Sequence, residues 1–301
     1  VKVATRAFKI GDKTYAHGAL MIPVESQKMS KESLYETIKA VGQSAGVNFA
    51  GIPTGYSQTG IDLGSNNFQK VTKPEALIVT GQGVASYEVG EVWYWLDTHV
   101  GMPISKVDIN TMPRLNLSRY NVIVMVSGQY DRSLAYKIKQ WVANGGTLIT
   151  LKTATEWAVR NEIVREKLRS PNSKTDSVLL AKRGRINYED ASASEGSKNT
   201  GGTMFEADLD ITHPIGYGYK NRKITLYRNN NTLLEPSVSP YNTVVQYTEK
   251  PYLTGYVHPQ TLKRISGSAG VIIAPEGSGR TVLFSIIPIL EASGTVPKKC
   301  S

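Results

Sequence analysis

Between residues 76 and 151 short apolar runs alternate with stretches of helical periodicity. Ala76–Thr80 is apolar and strand-length, and Tyr87–Val100 follows with Val89, Val92, Trp93 and Leu96 on one predicted inward stripe. Ile104–Ile109 predicts a second strand. The run "VIVMV" at 122–126 predicts a third, apolar enough to be buried on both faces. Ser133–Asn144 reads as a helix ended by Gly145-Gly146, and Thr147–Leu151 as a fourth strand. Strand, helix, strand in this order predicts right-handed crossovers and a parallel sheet with helices on both faces.

Upstream the pattern differs. Phe8 and Ile10 flank Lys9, Gly11-Asp12 supplies a turn, and Leu20, Ile22 and Val24 alternate again, which predicts a hairpin over 5–24. Ser30 is placed to cap a helix whose Leu34, Ile38 and Val41 form one buried stripe. Residues 51–73, rich in Gly, Thr, Ser and Asn, read as a linker. Downstream, after a helix and a polar stretch at 190–203, strand-like segments return at 204–211, 224–228, 243–247, 252–257, 270–274 and 281–287. The expected fold is α/β: a flavodoxin-like or class I amidotransferase-like parallel sheet over 73–290. A small hairpin-plus-helix arm over 1–72 precedes it, and a tail over 291–301 follows.

Composition narrows the chemistry. The 301 residues are 40% hydrophobic and 20% charged, as in an ordinary globular chain. Nothing approaches the run of about 18 apolar residues that a membrane helix needs. The chain starts at Val1 and shows no signal peptide, so an upstream portion is expected. The one cysteine, Cys300, excludes an intrachain disulfide and a Cys-x-x-Cys redox motif. The net charge of +10 favours acidic partners, and eight basic residues face three acidic ones between Arg160 and Arg185. That stretch could bind an anionic polymer or be a solvated loop. It lacks stacking aromatics, which argues against nucleic acid.

Four places could carry a site. Gly81-Gln82-Gly83-Val84-Ala85-Ser86 is close to G-x-G-x-x-G between a strand and a helix, where backbone amides can approach a phosphate. Asp108 near the end of the next strand could serve as a ribose-binding acid. The bland alternative is a turn whose Ser86 caps the helix. The turn after "GGTLITL" reads Lys152-Thr153-Ala154-Thr155, with neither cysteine nor serine, so it lacks the nucleophile of an amidotransferase; Thr153 is a weak substitute. Glu206, Asp208 and Asp210 alternate on one strand face with His213 just beyond, a possible hard-cation site or a solvated strand face. The four histidines form no H-E-x-x-H or related zinc motif. Trp93, Tyr94 and Trp95 could form a sugar platform, with Trp93 expected in the core and Trp95 outside.

The segments "GIDLGSNNFQKVTKPEALIVTGQGVASYEVGEVWYWLD" at 60–97, "RAFKIGDKTYAHGALMIPV" at 6–24 and "NLSRYNVIVMVSGQY" at 116–130 resemble bacterial zinc carboxypeptidase-like proteins. So do "WVANGGTLITL" at 141–151, "MFEADLDITHPIGYGY" at 204–219 and "LTGYVHPQTLKRISGSAGVIIAPEGSGRTVLFS" at 253–285. In that family a carboxypeptidase A-like domain is followed by a class I amidotransferase-like domain. The resemblance covers nearly the whole chain. It implies a non-catalytic accessory role, docking the preceding peptidase domain or helping to present its peptide substrate, in a periplasmic or secreted protein. Zinc is expected only in that preceding domain, whose ligands match no position here, so no catalytic residue carries over. The ending "PILEASGTVPKKCS" departs from the family's aromatic-rich continuation. The alternative reading is a stand-alone domain that binds a nucleotide or sugar phosphate at Gly81–Ser86.

Overall fold

The computed structural model describes residues 1–169, 187–192 and 199–287. They form two compact units, one of residues 1–73 with 211–220, the other of the remaining described residues.

In the first unit, β1 (Lys2–Ala4) lies between β4 (Leu20–Met21) and β6 (Phe68–Lys70), and β2 (Phe8–Ile10) lies between β3 (Lys13–Tyr15) and β5 (Thr59–Gly60). The hairpin turns at Gly11-Asp12, but its return arm is Lys13–Tyr15. Leu20–Met21 pairs instead with β1. The physical reason is ring packing: Tyr15 stacks on Phe8 at 4.9 Å, and Phe68 meets the same ring edge-on. Ala4, Phe8, Ile61 and Phe68 make the small core, and each buried phenylalanine contributes roughly 1.5–3 kcal/mol. Helix α1 (Lys31–Ala45) has Ser30 as its N-cap, accepting from the Ser33 amide, and ends at left-handed Gly46. Of its predicted stripe only Leu34 is buried; Val41 is exposed.

The second unit is built on nine strands in the order β12-β11-β13-β14-β15-β10-β9-β7-β8. These are β7 (Ala76–Thr80), β8 (Ser105–Asp108), β9 (Val122–Met125), β10 (Thr147–Leu151), β11 (Thr203–Leu209), β12 (Lys223–Arg228), β13 (Thr243–Gly255), β14 (Ala269–Glu276) and β15 (Gly279–Phe284). The five strands β8-β7-β9-β10-β15 are parallel. Their order is the 2-1-3-4-5 of doubly wound sheets. From β15 outward to β12 every pairing is antiparallel, so the sheet is half parallel rather than wholly so.

Period-two alternation sorts the parallel strands onto two cores. Leu77, Val79, Ile123, Met125 and Leu148 pack with Leu134, Ile138 and Val142 of α3 (Arg132–Ala143) and with Ala154, Trp157 and Ala158 of α4 (Thr153–Arg160). Ala76, Ile78, Val124 and Val126 face the other way, toward Val89 and Val92 of α2 (Ser86–Tyr94). The helices therefore cover both faces.

Two segments depart from their periodicity. The helix expected over 87–100 turns into a wider π winding at Trp95–Val100. Trp93 is 38% exposed, because α2 ends beside the edge strand β8, whose Lys106 ammonium lies 3.7 Å from the indole ring centre. The two strands expected at 243–247 and 252–257 are one strand. It stays paired with β11 across two register shifts, and Pro251 falls in the one between Tyr247 and Tyr252, where proline's missing N–H is tolerated.

Candidate functional site

Open parallel sheets place ligands at the carboxyl ends of their strands, where strand order reverses. Here that point lies between β7 and β9, and Gly81–Ser86 leaves the end of β7 to form one wall. Gly81, Gln82 and Gly83 are exposed. Gly81 has φ +110, and a Cβ there would lie 2.5 Å from Asp108 Oδ2. The structure thus brings the predicted turn and the predicted acid together. Asp108 is itself held, its Oδ1 accepting from the Asn110 amide at 2.8 Å.

Two of the turn's amides are donated within the protein. Val84 N–H donates to Gly81 O, Ala85 N–H to Ser127 O and Gln129 N–H to Gly83 O, so the loop is sewn to the segment leaving β9. Ala85, not Ser86, is the N-cap of α2, and Ser86 is its first helical residue. The serine cannot close the turn as a cap because the bridge to Ser127–Gly128 fixes the helix start one residue earlier.

The turn after β10 is the other wall. Lys152 adopts φ 49, ψ −115, a strained conformation for a side-chain-bearing residue, between β10 and α4. This is the strand-to-helix geometry in which α/β enzymes expose a nucleophile. The residue here is lysine, and it is turned inward. Its ammonium lies 3.1 Å from Glu88 Oε1, and the two side chains are only 9% and 13% exposed. Glu88 Oε2 accepts from the Ser127 amide at 2.7 Å, so one carboxylate ties α2 to the ends of β9 and β10. Thr153, exposed, accepts from the Gly128 amide at 3.1 Å through its hydroxyl oxygen.

One helical turn beyond Glu88 is Glu91. Burial raises its pKa above the usual 4.5, Lys152 pulls it back down and Glu88 pushes it up. Glu91 Oε2 is buried without a hydrogen-bond partner. Below the cluster Tyr130 donates to Val126 O at 2.7 Å, and burial, then Glu88, raise its pKa. Lys152, Glu88 and Glu91 carry no motif. The one legible signal was the position of Lys152 directly after an apolar strand and before a helix.

The acidic row of β11 is occupied by its neighbour. Glu206 and Asp208 share a face as the alternation predicts, but Arg222 takes Asp208 bidentately at 2.9 and 2.5 Å, and Lys223 takes Glu206 at 3.1 Å. Arg222 also lies 4.0 Å from Asp210. His213 accepts from the Ile215 amide through Nδ1 and caps a short turn. Among the described residues no group of three or more His, Cys, Asp or Glu is placed to hold a metal. Of the basic stretch, Arg160 pairs with Glu156 and Arg169 with Glu235, while 170–186 lies outside the described residues. No described helix is long and apolar enough to cross a membrane.

No family model matches the chain, and no curated protein matches it. Solved structures similar to it include ThuA-like proteins from two bacteria. That from Parabacteroides merdae is 15% identical with a TM-score of 0.43, over 71% of this chain and 79% of that one. That from Bacteroides uniformis is 13% identical with a TM-score of 0.43, over 78% and 86%. A beta-galactosidase from Bacillus circulans is 12% identical with a TM-score of 0.37, over 75% of this chain and 32% of that one.

Proposed function

We propose that this chain is a non-catalytic domain of class I amidotransferase-like fold, accessory to a zinc carboxypeptidase-like protein, docking its peptidase region or presenting its peptide substrate. The carrying observation is Lys152. The strained turn that would present an acyl-transfer nucleophile instead holds a lysine whose ammonium is locked against Glu88. An inward, ion-paired lysine cannot attack a carbonyl carbon while it is protonated. The parallel strand order supports the amidotransferase-like assignment, and the sequence resemblance supports the peptidase-like parent and a periplasmic or secreted home. Zinc would belong to that parent's peptidase region.

An antiserum to this chain tests the proposal on the native protein. The expected band in source cells is well above 32.9 kDa, and the purified chain is expected to cleave no C-terminal peptide bond. A native band at the chain's own mass, or peptidase activity abolished by a chelator in the isolated chain, overturns it.

One contact favours a second reading. Asp108 against Gly81 sets an acid beside the glycine turn, as a nucleotide ribose would require. Against it, the amides of Val84 and Ala85 are already donated within the protein. A nucleotide and sugar-phosphate panel read by thermal shift separates the two, since a ligand that binds only the folded state raises stability.

A further inference from the structure

β11 and β12 are neighbours in the sheet, and the pair nearest their connection is Asp208 with Lys223. Leu209 N–H donates to Arg222 O at 2.7 Å, which closes the hairpin. A hairpin closed in this way needs a loop of about 2–5 residues. This one runs through residues 210–221, and its middle, 211–220, belongs to the first compact unit rather than to the unit of its flanking strands.

The excursion is ordered from within. Pro214 opens a short turn that His213 caps through Nδ1. Gly216 N–H donates to His213 O at 2.7 Å, and Tyr219 N–H to Gly216 O at 3.2 Å. Gly216 is buried, whereas Ile215 and Tyr219 are exposed. Tyr217 is half-buried, and that burial raises the pKa of its phenol.

Tyr217 meets a turn shaped to receive it. Gly18 has φ +85, and a Cβ there would stand 3.1 Å from Tyr217 Cβ, so backbone and contact both require glycine. The Gly18 amide donates to Ala4 O at 2.7 Å, and Ala4 N–H donates to Ala19 O at 2.9 Å, which ties this turn to the end of β1. His17 completes the seat, its ring centre 5.2 Å from that of Tyr217. Ala4 in turn belongs to the small core with Phe8, Ile61 and Phe68.

We propose that residues 211–220 are a strap, with Tyr217 as its catch on Gly18, that holds the segment 1–73 independently of the covalent link at Lys73–Pro74. Residues 71–75 are exposed and lie in no helix or strand, the kind of segment where proteolytic nicking concentrates. A strap of this kind keeps the segment in place after such a cut.

A site-specific protease sequence inserted between Lys73 and Pro74 of the full chain tests this. After cutting, residues 1–73 should co-elute with the remainder on size exclusion at micromolar concentration. Tyr217→Ala should weaken retention by about tenfold or more, while Tyr217→Phe, which keeps the ring, should stay within about threefold of wild type. Tyr219→Ala, at an exposed position of the same loop, should leave retention unchanged. In the uncut chain Tyr217→Ala should speed hydrogen exchange at the Gly18 and Ala4 amides while those of β7 and β9 hold, which separates loss of the catch from loss of the fold. The proposal is overturned if the cut segment elutes alone, if Tyr217→Ala retains it as tightly as wild type, or if Tyr219→Ala releases it as readily as Tyr217→Ala.

Discussion

Lys152 and Glu88 are joined across the end of the sheet, ammonium to carboxylate at 3.1 Å, although a strained backbone is needed to put the lysine there. The strain costs on the order of 1–3 kcal/mol and persists because the surrounding contacts over-determine it. Phe284 O accepts from the Lys152 amide, and Thr155 donates to the same carbonyl, so the turn is pinned from both sides.

Removing both partners of this pair should therefore cost less than the sum of removing each alone. Glu88→Gln leaves the ammonium nearly out of water without its carboxylate, an expected loss of about 3 kcal/mol. Lys152→Met should cost less, since Glu88 keeps the Ser127 amide. In urea denaturation the double variant should fall short of the sum of the singles by more than about 0.5 kcal/mol, the mark of direct coupling. Additive losses would show that the pair contributes no coupling.

The parallel half of the fold is legible in the sequence because its inner strands β7 and β9 are apolar on both faces and α3 has one clear stripe. Ala76–Thr80 and Thr147–Leu151 have the bounds their composition predicts. The antiparallel half is less legible. Its ladder runs through an irregularity at Pro251, and pairing across distant strands leaves no local period. The site is the least legible part. Gly81 and Asp108 are visible as a glycine turn and an acid, but the Lys152–Glu88 pair joins residues far apart in sequence and types that usually lie in solvent.

Glu91 predicts a pH dependence with a definite sign. Its folded pKa is raised above 4.5, so the stability it gives is fully present below about pH 4.5 and is lost as pH rises through the folded value. Glu91→Gln keeps the neutral form at every pH. The variant should match wild type near pH 4 and melt higher than wild type near pH 7. Parallel melting curves across that window would show that Glu91 titrates normally in the folded chain.

Gly81→Ala should be costly for two separable reasons. The φ of +110 is unfavourable to any Cβ, and the Cβ would strike Asp108 Oδ2 at 2.5 Å. Because Asp108 is tethered to the Asn110 amide, it cannot simply swing aside. The expected loss is about 2–3 kcal/mol. Adding Asp108→Ala should recover the steric part only. Full recovery would mean that the backbone conformation is not under strain, and no recovery would mean that the contact is not the cause.

Arg228 offers a stabilising test. It is 1% exposed, and its donors reach only neutral acceptors: Tyr247 Oη at 3.3 Å, Ser285 Oγ and Asn230 Oδ1 at 3.4 Å, and the Thr232 carbonyl. A buried guanidinium with no carboxylate partner among the described residues is expensive. Asn230 presents its oxygen to Arg228 while its Nδ2 is buried without an acceptor. Asn230→Asp keeps the shape, keeps the oxygen that accepts from the Thr232 amide, removes the idle donor and supplies the missing charge. It should raise stability by about 1–2 kcal/mol, the increment of a charge-assisted hydrogen bond after partial desolvation of the new carboxylate. In the Arg228→Met background the same change should be destabilising, because the carboxylate then has no cation. If Asn230→Asp lowers the urea midpoint with Arg228 present, desolvation outweighs the pair, and the neutral acceptors are the better match for this cation.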